Sequence, residues 1–73
     1  MTSNVRDQIL KVRDTGRTNM LDINGVQVVA NDLDLFDLVV WLEDRNNRKE
    51  YSRFIFTGEA NIENGGGASG RLD

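Results

Sequence analysis

The chain has 73 residues, a net charge of −3, and neither cysteine nor histidine. One small domain of that length buries only about 60% of the surface its unfolded form exposes, so its stability is thin without a disulfide, a metal or a second subunit. Lacking Cys and His, it has no disulfides, no zinc site built on those residues, no thiol nucleophile and no imidazole base, which leaves a second subunit as the expected support.

The mild acidity argues against a general nucleic-acid binder, whose affinity comes from cations neutralising phosphates. No apolar run approaches the roughly 20 residues that span a bilayer, and "MTSNVRDQIL" lacks the order of a signal peptide, so a soluble, cytoplasmic chain with no membrane partner is expected.

The first helix is predicted from Asn4 to Thr15, capped by Ser3 or Asn4 and ended by Gly16, because Val5, Ile9 and Val12 form one apolar stripe. Arg6, Leu10, Arg13 and, if the helix frays late, Arg17 share another face, either plain charged surface or a contact for an anionic partner. The middle segment "NMLDINGVQVVANDLD" has two readings. Alternation around Asn24-Gly25 suggests an internal β-hairpin and an ααβ chain. At helical period, Met20, Ile23, Val26, Ala30 and Leu33 form a stripe behind an Asp22 cap, at the expense of a glycine inside the helix.

A third helix is expected over "LFDLVVWLEDRN", with Asp34 as its cap, and it is apolar around so much of its circumference that it must be covered on more than one side. "RNNRKE" then reads as a turn. "EYSRFIFTGE" alternates, with Ser52, Phe54 and Phe56 on one face and Tyr51, Arg53, Ile55 and Thr57 on the other, and predicts a β-strand from Tyr51 to Thr57. Residues 60–73, glycine-rich and without apolar periodicity, read as a flexible tail after a single domain over 1–59.

The order "VRDQILKVRDTGRTNMLDINGVQVVAN", "LFDLVVWLED", "EYSRFIFTGE" resembles DUF5049, a family of small uncharacterised phage and prophage proteins; "TNMLD", "VQ" with a following "AN", and "YSRFIFTGE" are its most specific pieces. The resemblance implies alanine in relatives where Gly25 stands here, which tips the middle segment towards helix. The expected fold is then α+β, with three short helices and one strand per chain. An unpaired strand edge leaves backbone groups unsatisfied, so the strand is expected to pair with its copy across a two-fold homodimer or higher homo-oligomer, with Phe54, Ile55, Phe56, Leu38 and Leu42 at the interface.

No catalytic constellation is visible, so the chain is expected not to be an enzyme and to need no cofactor. Asp32, Asp34 and Asp37 are the only carboxylate cluster and read as helix-capping acids, not a metal site. The richest binding constellation is Trp41, Arg45, Arg48, Lys49, Tyr51 and Arg53, where cations with aromatics suit a phosphate and a stacked base. The plain alternative gives these residues helix-end, turn and partial-core roles. The phage resemblance implies a non-enzymatic binding protein in the host bacterial cytoplasm that antagonises a defence or host pathway, by masking a host protein or sequestering an anionic nucleotide signal. A DNA- or RNA-binding regulator ranks second, because the second and third helices carry acids where a recognition helix wants Arg, Lys, Asn or Gln; a structural phage accessory comes third.

Overall fold

In the computed structural model, which describes residues 1–59, the first helix, α1, spans Ser3–Thr15. Its cap is Thr2, whose hydroxyl accepts the Val5 N–H at 3.1 Å, so the helix starts one residue before its predicted first position. Val5, Ile9 and Val12 are all buried, as their spacing requires. Gly16 ends the helix at φ 65°, a left-handed conformation that is easy for glycine alone. The turn carries Arg17 off the face of Arg6, Leu10 and Arg13, and its guanidinium instead meets Asp32 at 2.8 Å.

The middle segment is helix, α2, over Ile23–Asp32. Asp22 caps it by accepting the Gly25 N–H at 3.1 Å, so Asn24-Gly25 lies in the first helical turn and forms no hairpin. Val26, Val29 and Ala30 are buried, and Gly25, in the first turn with its N–H held by the cap, escapes the full cost of a glycine in a helix interior.

The region after α2 corrects the sequence reading most. The helix expected to continue from Leu35 through Asn46 is broken: α3 spans Phe36–Trp41, and a new helix, α4, spans Arg45–Thr57. The described residues contain these four helices and no strand, so the α+β reading is wrong, and so is the strand from Tyr51 to Thr57 with its pairing across a dimer. Two end signals and one periodicity explain the outcome. Asp44 caps α4 by accepting the Asn46 N–H at 2.8 Å, and Gly58 closes it at φ 75°. Between them Tyr51 and Phe54 are buried together at i, i+3, whereas a strand would place them on opposite faces. Phe56, paired with Phe54 by alternation, is 74% exposed.

Asp34 does not cap α3; it stands at φ 60° and the N-cap position falls to Leu35, which offers no side-chain acceptor. Other helices supply the missing caps. Gln8 of α1 accepts the Leu38 N–H of the first turn at 2.9 Å, and Gln27 of α2 donates to the Val39 carbonyl of the last turn at 3.1 Å. At the far end, Asn47 donates to the Trp41 carbonyl at 2.9 Å and Arg48 to the Leu42 carbonyl at 2.8 Å. A six-residue helix that could not persist alone is therefore tied at both ends by its neighbours.

The core runs through all four helices: Val5, Ile9 and Val12 meet Val26, Val29 and Ala30, then Leu35, Leu38 and Leu42, with Tyr51 and Phe54 sealing it from α4. The tail expected over 60–73 lies outside the described residues.

Candidate functional site

The six residues singled out for ligand binding divide into two groups. Three of them hold the fold. Tyr51 is fully buried, its hydroxyl donates to the Met20 carbonyl in the loop before α2, and burial pushes its phenol up to about 12. Arg48 spends its Nε–H on the Leu42 carbonyl, and Trp41, half-buried, packs against the core at the end of α3. The phenol is thus closed to a stacked base.

Arg45, Lys49 and Arg53 form the second group, and all three are exposed. Their spacing of four places them along one stripe of α4, about 6 Å apart per step at 1.5 Å of rise per residue. Among the described residues none of the three side chains makes an ion pair or hydrogen bond. Phe56 lies on the same face, three residues beyond Arg53 and seven beyond Lys49, so an exposed aromatic ring stands at the end of a cationic row.

The surrounding charge sharpens this face. Residues 18–44 carry six acids, Asp22, Asp32, Asp34, Asp37, Glu43 and Asp44, and no cation, whereas α4 carries four cations and one acid. That acid, Glu50, is paired with the N-terminal ammonium. The mild overall charge therefore hides an uneven distribution, acidic through the caps and loops from Asp22 to Asp44 and basic along α4.

The residues expected at a dimer interface are also divided. Leu38 and Leu42 are fully buried within their own chain and Phe54 is 9% exposed, Ile55 is half-buried, and Phe56 alone is widely open. No group of three acidic side chains capable of holding a metal ion occurs among the described residues. No described helix is long and apolar enough to cross a membrane.

Reading the segment as a strand hid the stripe, because alternation put Arg53 beside Tyr51 and Ile55. Its signal was present in the sequence as cations at 45, 49 and 53 between an aspartate cap and a terminal glycine.

The described residues define a small four-helix domain with an exposed row of cations along its last helix. The chain belongs to the family described as Domain of unknown function (DUF5049), whose model matches residues 1–59. No curated protein and no solved structure matches it.

Proposed function

We propose that the domain is a non-enzymatic nucleic-acid-binding module that contacts the phosphate backbone through the exposed face of α4. The observation that carries this reading is the row of Arg45, Lys49 and Arg53, which makes no ion pair among the described residues and ends at an exposed Phe56. Cations following a backbone, with an aromatic ring on which an unpaired base can stack, are the physical elements of single-strand recognition. The objection that the second and third helices carry acids loses its force, since the exposed helix is a fourth one, with Arg45, Asn46, Lys49, Ser52 and Arg53 on it.

Fluorescence anisotropy of labelled single-stranded and duplex oligonucleotides tests the proposal. Three phosphate contacts predict a log–log salt slope of about −2 on single strands. The triple variant Arg45→Ala, Lys49→Ala, Arg53→Ala abolishes binding, and Phe56→Ala weakens single-strand binding by about 1–3 kcal/mol. Equal binding by the triple variant, or no binding at low salt, refutes it.

A phage-encoded antagonist of a bacterial defence or host pathway that sequesters a nucleotide signal is the second reading, favoured by the same free cations. Calorimetric titration with cyclic nucleotides and ADP-ribose derivatives separates it from the first, since heat that disappears in the triple variant would move the ligand from polymer to small molecule.

A further inference from the structure

A concave feature lies away from that stripe, where the C-terminal half of α4 passes α1. It is an open groove of about 460 Å³ between Arg6, Leu10 and Arg13 of α1, Met20 of the following loop, and Phe54 and Ile55 of α4. Leu10 sits between the two arginines at helical spacing, so guanidinium groups flank an apolar floor. Their ion pairs are with sequence neighbours, Asp7 at 3.2 Å and Asp14 at 3.8 Å, on exposed side chains that hold little energy in water. Both arginines are thus available to an incoming carboxylate.

The chain carries the matching convex feature on α3. Phe36 and Val40 are 53% and 70% exposed and adjacent at i, i+4, which makes an apolar ridge. Asp37 and Glu43 flank it, both exposed. Asp37 receives only the Asn4 amide and Glu43 is in no ion pair among the described residues. A chain cannot seat its own ridge in its own groove. Asn4 and Gln8, the α1 residues that bond to α3, lie roughly half a turn around that helix from Arg6, Leu10 and Arg13.

We infer that the α1–α4 groove receives the α3 ridge of a second copy, with Phe36 and Val40 on the apolar floor and Asp37 and Glu43 meeting Arg6 and Arg13. Such a contact is heterologous: every copy offers one groove and one ridge, so association runs head to tail, closing as a ring or growing as a filament according to the rotation at each step. The pairing is independent of the α4 stripe, and ridge variants leave nucleic-acid binding unchanged.

Sedimentation velocity of the full chain from micromolar to near-millimolar concentration tests it, with two variants of opposite defect. Phe36→Ser with Val40→Ser removes the ridge and keeps the groove; Arg6→Glu with Arg13→Glu spoils the groove and keeps the ridge. The wild type shows a mass that rises with concentration and falls with salt, each variant alone stays a single chain, and an equimolar mixture of the two forms a species of two chains and none larger. A wild type that remains a single chain throughout, a variant that associates like the wild type, or a mixture that stays monomeric overturns the inference. If either double variant loses its helical circular dichroism, Val40→Ser and Arg13→Glu alone are read by the same criteria.

Discussion

Replacing Tyr51 by phenylalanine removes one hydrogen bond and one titrating group while keeping the ring in the core. The lost donor leaves the Met20 carbonyl, on a half-buried residue, without its partner, and the expected loss is about 1–2 kcal/mol at neutral pH. In a domain of this size each kcal/mol lowers Tm by about 4–8 °C. The second readout is pH. Burial raises the Tyr51 phenol from its ordinary 10.0 to about 12, so the folded state keeps a proton that the unfolded chain has released. That stabilisation is complete below pH 10 and is lost as pH rises through the folded value, about 1.4 kcal/mol of it by about pH 11. Urea denaturation followed by circular dichroism at both pH values, wild type against Tyr51→Phe, subtracts every other titrating group. The variant is expected to be weaker at neutral pH and to close most of the gap at alkaline pH. Equal stability at neutral pH, or a gap that does not change, would refute the role given to the phenol.

Leu42→Ala tests whether this residue serves the chain's own core: the expected effect is a loss of about 2–5 kcal/mol in unfolding measured on dilute single chains, independent of protein concentration. A variant as stable as the wild type when dilute would return Leu42 to the surface. Gly25→Ala sets a helix gain below the roughly 1 kcal/mol of an interior site against a clash, since an added Cβ would stand 2.3 Å from the Thr18 hydroxyl and 2.9 Å from an Asp22 carboxylate oxygen. Calorimetry is therefore expected to show a higher Tm for Thr18→Ala with Gly25→Ala than for Gly25→Ala alone, and the reverse order would place the crowding elsewhere.

The residues that made the first two helices legible are those whose signals agree. Val5, Ile9 and Val12 repeat at helical period and Gly16 stops them, while Asp22 caps a stripe that outweighs the hairpin appearance of Asn24-Gly25. The last third misled because two periodicities compete in "EYSRFIFTGE". Tyr51 and Phe54 serve the helix, Phe54 and Phe56 imitate a strand, and only the position of the core decides between them. Asp44 and Gly58, which bracket the thirteen residues of α4, were the stronger local signals. Of the six residues grouped as a candidate site, Arg45, Lys49 and Arg53 share one exposed face of α4. Trp41, Arg48 and Tyr51 neighbour them in sequence, yet those three turn inward to cap α3 and seal the core. The groove and ridge were not legible at all, since they depend on how α1 and α4 lie together and on which side of α3 stays bare.

The separation of the acids between Asp22 and Asp44 from the cations along α4 gives the domain a permanent electrical polarity. In the field of a polyanion such a body experiences a torque before it touches anything, turning its last helix forward and its acidic flank away. With such a partner the benefit would fall on the encounter rate, and it would fade once added electrolyte shrinks the screening distance below the width of the molecule.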